Sequence, residues 1–274
     1  MTANISTNEK NDTKVIFYDD FDADELDRSR WNIEITGHTV NDEQQAYIDS
    51  PETIYIDKNI RDDANGVLTI HPRYKKGYVT PQGQTFDFTS GRINTRGKTE
   101  FTYGTVSARI LLPVGVGLWP AFWLLGSNNE WPDCGELDIM EFVGETDWTG
   151  VAIHGPNYSG ETPLVNKKFF THPVDANRWH IYSVDWTDSY IHFLVDDEII
   201  YRVTRPMVNY YGSWVFDKKH HIILNFALGG TYPFKTNGIS EPYYGLPEET
   251  VHSIQNDEVK LLVDWIKVTS RQPA

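Results

Sequence analysis

The stretch Gly135-Glu136-Leu137-Asp138-Ile139-Met140-Glu141-Phe142 alternates acidic and apolar side chains. This alternation is typical of a β-strand with one polar face and one buried face. Like charges at successive positions of one face repel each other, so a purely structural strand would not carry them. A catalytic group of carboxylates is the simplest explanation for their presence.

The spacing of the three acids predicts a local irregularity in this strand. Glu136 and Asp138 point to the same face because side chains alternate with period two. Glu141 would point to the opposite face of a regular strand. One inserted residue restores the phase, so we predict a β-bulge near Ile139-Met140, a feature that recurs beside active sites.

Two glutamates on one face suit a glycosidase that works with retention of configuration. In such enzymes the two carboxyl groups stand about 5 Å apart, one acting as nucleophile and the other as acid and base. Neighbouring anions raise the pKa of one member, as a general acid requires, and Asp138 could tune Glu136 by a hydrogen bond. An acidic strand face and a Ca²⁺ site are the alternatives. Ca²⁺ loops place Gly, Asn and Asp between their acids, whereas apolar residues separate these acids, which favours catalysis.

Short alternating segments separated by Gly, Pro and Asn continue through the rest of the chain, for example from Thr105 to Leu112. This pattern predicts an all-β protein, with two antiparallel sheets stacked as a curved β-jelly-roll sandwich and a concave substrate cleft. We expect a disordered leader at residues 1–14 and one catalytic domain at residues 15–274. Residues Thr231 to Asn256 are predicted to form a long loop that reshapes the cleft.

Several motifs together resemble glycoside hydrolase family 16 in its laminarinase-like form. They are Glu136-Leu137-Asp138-Ile139-Met140-Glu141, Gly117 to Gly126 (GLWPAFWLLG), Trp131-Pro132, Asn225 to Gly230 (NFALGG) and Asp264 to Val268 (DWIKV). The resemblance implies retaining endo-hydrolysis of β-1,3 bonds in a β-glucan, with Glu136 as nucleophile, Glu141 as acid and base, and Asp138 assisting Glu136. A mixed-linkage glucanase, a galactan hydrolase and a transglycosylase share these acids and remain alternatives. A non-catalytic glucan-binding module is disfavoured because such relatives lack the two glutamates.

The same resemblance and the residue chemistry indicate substrate contacts. Trp119 and Trp123 share one strand face around the small Ala121, which suits stacking of sugar rings. The other candidates are polar or aromatic residues near the predicted cleft: Asn41, Arg92, Arg96, Trp131 and His154. We expect His154 to hydrogen-bond Glu141 or the substrate.

The resemblance also implies a structural Ca²⁺ far from the cleft, held by Asp20, Asp264 and a backbone carbonyl near Gly66. Oxygen ligands from separate segments suit Ca²⁺. No cofactor is expected for catalysis. Cys134 is the only cysteine, so an intrachain disulfide is excluded, and we interpret it as a small packing residue.

Composition limits the partners. The chain carries 39 acidic against 24 basic residues, a net charge of −15, which disfavours nucleic acid and anionic membranes and is compatible with a neutral polysaccharide. No apolar run is long enough to span a membrane, and residues Met1 to Asp12 lack the apolar centre of a signal peptide. We expect a monomer. The family resemblance implies an extracellular location, and a cytoplasmic one stays open.

Overall fold

The computed structural model describes residues 13–36, 40–60, 66–128, 130–172 and 175–271. The strands in this part of the chain are β1 (Thr13–Asp19), β2 (Asn32–Ile33), β3 (Gln45–Tyr47), β4 (Ile54–Asp57), β5 (Val67–Ile70), β6 (Arg73–Val79), β7 (Thr85–Ser90), β8 (Arg92–Asn94), β9 (Gly104–Leu111), β10 (Leu118–Gly126), β11 (Glu136–Glu141), β12 (Trp148–His154), β13 (Leu164–Phe169), β14 (Trp179–Trp186), β15 (Tyr190–Val195), β16 (Glu198–Thr204), β17 (His220–Leu228) and β18 (Leu261–Arg271). The helices are α1 (Arg205–Tyr211), α2 (Thr231–Asn237) and α3 (Glu248–Gln255), with a 3₁₀ turn at Asp175–Asn177.

Two large antiparallel sheets make up the sandwich, as predicted. The first sheet, here called the catalytic sheet, has the order β13-β12-β11-β10-β17-β8-β2. The second has the order β16-β15-β14-β9-β18-β5-β4, and β1 also pairs with β18. A small third sheet, β3-β7-β6, contains the parallel β3–β7 pair. The catalytic sheet therefore places β11, with its three acids, between β12 and β10, and its other strands come from positions in the sequence as far apart as β2 and β17.

Alternating burial explains why the two sheets pack together. Along β9 every second residue is buried, and Val106, Ala108 and Ile110 are fully inaccessible. On β11 the apolar residues Leu137, Ile139 and Met140 enter the same core. Full burial of such a side chain contributes about 1.5–3 kcal/mol, so the core fixes which face of each strand carries polar residues.

The structure differs from the sequence prediction at two places. Strand β1 begins at Thr13 rather than at Val15, so the last two residues of the predicted leader are in a strand, and residues 1–12 lie outside the described part. The segment Thr231 to Asn256, predicted as a loop, contains α2 and α3. The apolar residues Val251 and Ile254 of α3 are buried, which stabilises helical structure that short-range patterns do not indicate. Among the described residues, the helices are too short or too polar to cross a bilayer.

Candidate active site

The predicted bulge is present in β11. Against β10, Met140 pairs with Phe122 and Asp138 pairs with Trp123, so Ile139 has no separate partner. Against β12, the register likewise shifts between Asp138 and Glu141. Both Ile139 and Met140 are fully buried. Two consecutive side chains thus point into the core, and Glu141 returns to the face that carries Glu136 and Asp138.

Strand register shows which side chains share this outer face of the catalytic sheet, here called the catalytic face. Directly paired residues lie on the same face, so the pairing runs through the sheet in rows. The three rows are Gly150, Glu141, Ala121, Asn225 and Arg92; Ala152, Asp138, Trp123, Ile223 and Asn94; and His154, Glu136, Leu125 and His221. On the β12 side, Glu141 and Asp138 therefore have the small neighbours Gly150 and Ala152, and Glu136 has the polar neighbour His154.

Each glutamate receives a hydrogen bond from a different indole. The Trp131 Nε1–H donates to Glu136 Oε2 at 2.8 Å, and the Trp119 Nε1–H donates to Glu141 Oε1 at 3.2 Å. Trp131 is half exposed at the entrance of β11, whereas Trp119 is partly buried on β10. The two predicted aromatic residues therefore orient the acids.

His154 contacts Asp138 and Glu136. Its Nε2 lies 3.3 Å from Asp138 Oδ2 and 3.9 Å from Glu136 Oε1. The bond to Glu141 that we expected from the sequence is not among these contacts, because β12 pairs His154 directly with Glu136 and pairs Gly150 with Glu141. His154, Glu136 and Asp138 also form the one group of three potential metal-ligating side chains found in the described chain.

Burial and repulsion between the carboxylates raise the pKa values of all three acids. Burial, followed by the charge of Asp138, raises the pKa of Glu136 to about 8. Burial also raises the pKa of Glu141 to about 7, with Glu136 adding to the rise and His154 opposing it. The pKa of Asp138 is raised well above its ordinary value by burial and by Glu141. At neutral pH the three carboxyl groups therefore retain at least one proton, which general acid catalysis needs.

These raised pKa values predict that Glu136 reduces stability at alkaline pH. Between the ordinary pKa of 4.5 and about 8 the folded state binds more protons than the unfolded state, so the stability of the wild type falls as pH rises through this window. We expect Glu136→Gln to raise the Tm at pH 8 by about 2–8 °C, the shift that corresponds to roughly 1–2 kcal/mol. Calorimetry at pH 4 should show a much smaller difference, because Glu136 is then protonated in both states.

The matched control for this experiment is Glu258→Gln, which removes one charge from an exposed position. This variant should shift the Tm little at either pH. If Glu136→Gln changes the Tm equally at pH 4 and pH 8, the raised pKa of Glu136 is contradicted.

A chain of hydrogen bonds fixes Trp123 beside the acids. The Trp123 Nε1–H donates to Asn225 Oδ1 at 2.7 Å, Asn225 Nδ2 donates to the Tyr47 hydroxyl at 3.0 Å, and that hydroxyl donates to Glu43 Oε2 at 3.2 Å. The Arg92 guanidinium lies 5.0 Å from the centre of the Trp123 ring. The structure thus brings Trp123 and Arg92 together on the side of the acids that faces β8.

Arg96 and Asn41 lie farther from the acids. The Arg96 side chain is exposed in the turn after β8. Burial lowers the pKa of His221, and the charge of Arg96 lowers it further. Asn41 is also exposed, and its carbonyl accepts the Thr231 backbone N–H at 2.7 Å. Asn41 therefore joins the segment before β3 to the start of α2, while its side chain faces solvent.

The sequence analysis did not identify Tyr232 as a site residue. This first-turn residue of α2 contacts the edge of Trp119 at 5.5 Å between ring centres, and its hydroxyl lies 3.6 Å from where a Cβ of Gly150 would stand. Burial and the charges of Glu141 and Asp138 raise the pKa of Tyr232. In the sequence, the feature that could have indicated Tyr232 is its position two residues after Gly229-Gly230, which follow the end of β17.

The residues predicted to hold Ca²⁺ belong to segments of the second sheet: Asp20 follows β1, Gly66 precedes β5 and Asp264 lies in β18. The β18 register places Asp264 between residues that pair with Leu68 and with Asp19. A Cβ on Gly66 would stand 2.2 Å from the Phe21 carbonyl, so glycine permits this close approach. Burial raises the pKa of Tyr18, and the charges of Asp20 and Asp264 raise it further. Asp264 Oδ2 accepts a hydrogen bond from Arg109 Nη1 at 2.6 Å.

Comparison with known proteins is consistent with this geometry. The chain is 32% identical over 231 residues to a β-glucanase of Rhodothermus marinus, covering 80% of this chain and 77% of that protein. It is 30% identical over 244 residues to glucan endo-1,3-β-glucosidase A1 of Niallia circulans, covering 80% of this chain but 34% of that protein.

Among solved structures, the endo-β-1,3-glucanase of Pyrococcus furiosus superimposes with a TM-score of 0.81 and 34% identity, over 96% of both chains. The family model for glycosyl hydrolases family 16 matches residues 29–230, which include the bulged strand with all three acids. The two-sheet sandwich is therefore the jelly roll predicted from the sequence. The chain belongs to the glycosyl hydrolases family 16 and is a glycoside hydrolase.

Proposed function

We propose that this enzyme hydrolyses internal β-1,3 bonds of a neutral β-glucan with retention of configuration. The observation that carries this proposal is the bulge that brings Glu136 and Glu141 to one face, where each has its own indole N–H donor. One acid is thereby available as nucleophile and the other as proton donor. The names of the β-1,3-glucan-cleaving relatives support the choice of linkage.

The reaction proceeds in two displacements. A Glu136 carboxylate oxygen attacks the anomeric carbon, the glycosidic C–O bond breaks, and the Glu141 proton moves to the leaving oxygen. Glu141, now ionised, then takes a proton from water while the water oxygen attacks the same carbon and releases Glu136. One water is consumed for each bond, and two inversions leave the configuration unchanged.

Asp138 and His154 act on the charge of the nucleophile. The carboxyl groups of Glu136 and Asp138 share a hydrogen bond, which raises the pKa of Glu136 while the proton is on Glu136. The reaction requires that this shared proton moves to Asp138, which leaves Glu136 as an anion. The Trp131 N–H favours the same ionised form of Glu136. In the reactive state, therefore, Glu136 is ionised while Asp138 and Glu141 are protonated.

Product analysis on three polymers tests the substrate assignment. Chromatography after digestion of a β-1,3-glucan, a mixed-linkage β-1,3/1,4-glucan and agarose should show an oligosaccharide ladder from the first. Cleavage of only another polymer would reject the β-1,3 assignment and keep the two-glutamate mechanism. Products longer than an oligosaccharide substrate would indicate a transglycosylase, and binding without cleavage would indicate a glucan-binding module.

We also propose a structural Ca²⁺ held by Asp20, Asp264 and a backbone carbonyl near Gly66. The oxygen donors suit a hard cation, and their place on the second sheet rather than on the catalytic sheet favours a role in stability rather than in chemistry. Removing the ion should lower the Tm, because a ligand present at 100 times its Kd contributes about 2.7 kcal/mol.

Calorimetry with a chelator, followed by readdition of Ca²⁺, measures this effect. In Asp20→Asn the Tm should respond less to Ca²⁺ than in the wild type. An unchanged wild-type Tm after chelation would reject the site.

A further inference from the structure

Two strands bring three potential metal ligands together on the catalytic face. Glu136 and Asp138 lie two residues apart on β11, and β12 pairs His154 directly with Glu136. One ligand atom from each of these side chains lies within 4.8 Å of the other two. The imidazole therefore stands beside both carboxyl groups, and the three side chains combine one nitrogen donor with two oxygen donors.

The distances between these atoms fit the coordination sphere of a small cation. In a tetrahedral centre with metal–ligand bonds of about 2.0–2.1 Å, neighbouring ligand atoms are separated by roughly 3.4 Å. His154 Nε2 lies 3.3 Å from Asp138 Oδ2 and 3.9 Å from Glu136 Oε1. His154 and Asp138 thus already have the separation that such an ion requires, and a small rotation of the Glu136 side chain closes the wider gap.

The buried oxygen of Asp138 is an independent indication of a cation. The Asp138 side chain is 5% exposed, and its Oδ2 atom is inaccessible and makes no hydrogen bond within the described part of the chain. A buried carboxylate oxygen without a hydrogen bond reduces the stability of the folded protein. Because this oxygen faces His154 Nε2, a cation bound by both atoms compensates for its burial.

The ligand group is open to the cleft. The side chains of Glu136 and His154 are 17% and 14% exposed, so an ion reaches them from the catalytic face while the sandwich stays closed. The Trp131 N–H donates to Glu136 Oε2, whereas Glu136 Oε1 is the oxygen near His154. An ion bound through Oε1 is therefore compatible with the Trp131 hydrogen bond.

The donor atoms indicate which metal fits. One imidazole and two carboxylates suit a borderline metal such as Zn²⁺. Ca²⁺ takes about six to eight oxygen ligands and is a poor match for a group that contains a nitrogen donor. Three protein ligands leave the fourth tetrahedral position for a water molecule on the open side of the group.

We propose that Glu136, Asp138 and His154 bind Zn²⁺ and that the bound ion inhibits the enzyme. A Glu136 carboxylate that coordinates Zn²⁺ is not available to attack the anomeric carbon, and the ion with its water occupies the position of the reacting sugar. The inhibition is therefore competitive with glucan. This inhibition rests on the proposed function of Glu136 as nucleophile, whereas the binding of the ion rests on the geometry of the three ligands.

Calorimetric titration with ZnCl₂ measures the binding directly. The protein is first treated with a chelator, dialysed and supplied with excess Ca²⁺, so that the proposed Ca²⁺ site is filled. The wild type should bind a single Zn²⁺ in a saturable manner. His154→Gln should weaken this binding by about 10- to 100-fold or more, since loss of an outer-shell partner alone has an effect of this size. Asp138→Asn should have the same effect, and circular dichroism checks that both variants fold.

His252→Gln is the matched control, because His252 lies beside Glu248 on the exposed side of α3, outside the catalytic sheet. It should keep the wild-type affinity for Zn²⁺. Co²⁺ provides a second readout, since it should give the wild type a visible absorption band that Zn²⁺ abolishes and that His154→Gln lacks. The proposal is overturned if the wild type shows no saturable binding, if His154→Gln and Asp138→Asn bind Zn²⁺ as tightly as the wild type, or if only His252→Gln loses binding.

Steady-state kinetics on a β-1,3-glucan test the inhibition. Zn²⁺ should raise the apparent KM and leave kcat unchanged, and excess chelator in the presence of Ca²⁺ should restore the original KM. A lower kcat at unchanged KM would overturn competition at this site. A wild type that binds Zn²⁺ through His154 but cleaves no β-glucan would reject the proposed function and leave the metal site in place.

Discussion

Glu136→Ala is expected to reduce kcat on a β-1,3-glucan by a factor on the order of 10⁴–10⁶, the loss typical for removal of a nucleophile from a catalytic unit. Without this carboxylate no glycosyl-enzyme can form, although Glu141 still holds its proton. The fold should remain intact, because removing a buried acid whose pKa is raised to about 8 also removes its repulsion with Asp138. Circular dichroism and the Tm check that point.

Azide identifies the role of the missing group. The Ala side chain leaves space where the carboxylate stood, and azide can enter it and attack the anomeric carbon from the same side. Glu141 protonates the leaving oxygen, so a single displacement converts the β-linked substrate into an α-glycosyl azide. Activity should therefore return with increasing azide, and the product should be the α anomer.

A β-glycosyl azide from Glu136→Ala would contradict the assignment of Glu136 as nucleophile, since it requires an intact double displacement. Glu258→Ala is the matched control for this experiment, because it truncates an exposed glutamate outside the catalytic sheet. This variant should keep the wild-type kcat and give no glycosyl azide beyond the wild-type level. The pair of variants separates loss of the nucleophile from a general loss of negative charge.

The position of the acids could be predicted because it follows from the phase of one strand. Glu136 and Glu141 share a face only if one extra residue lies between them, and the buried side chains of Ile139 and Met140 confirm that solution. The sheet neighbours of β11 could not be derived in this way. Side-chain period gives the face of a residue, but only strand register shows which residue lies opposite.

For the same reason, residues that reach the site through tertiary contacts could not be identified, or their partners assigned, from the sequence. Tyr232 approaches Gly150 from α2, in a segment whose helical structure depends on burial. Glu43 ends the hydrogen-bond chain from Trp123, although nothing in its local sequence indicates a buried carboxylate. His154 contacts Asp138 and Glu136, because β12 pairs His154 with Glu136 and pairs Gly150 with Glu141.

Glu141→Ala should reduce activity by an amount that depends on the leaving group. Natural glucan has a poor leaving group that needs the Glu141 proton, so its cleavage should slow by about 10²–10⁴-fold, the usual contribution of general acid catalysis. An aryl glycoside with a highly acidic phenol departs without protonation, so formation of its glycosyl-enzyme should slow little. Its hydrolysis should still be slow, because Glu141 also activates the attacking water, and a burst of phenol should precede the steady state.

The pH dependence and azide provide two further readouts of the same role. In the wild type, the reaction needs Glu136 ionised and Glu141 protonated, so kcat/KM for glucan should rise as the first of these two carboxyl groups ionises at about pH 7. It should fall above about pH 8, where the second proton, which Glu141 must donate, is lost. Glu141→Gln should lack this alkaline decrease. Azide needs no general base, so it should accelerate breakdown of the glycosyl-enzyme in Glu141→Ala and give a β-glycosyl azide, the opposite anomer to that from Glu136→Ala. Equal losses on glucan and on the activated aryl glycoside would exclude Glu141 as the acid, because a proton donor contributes only where the leaving group needs a proton.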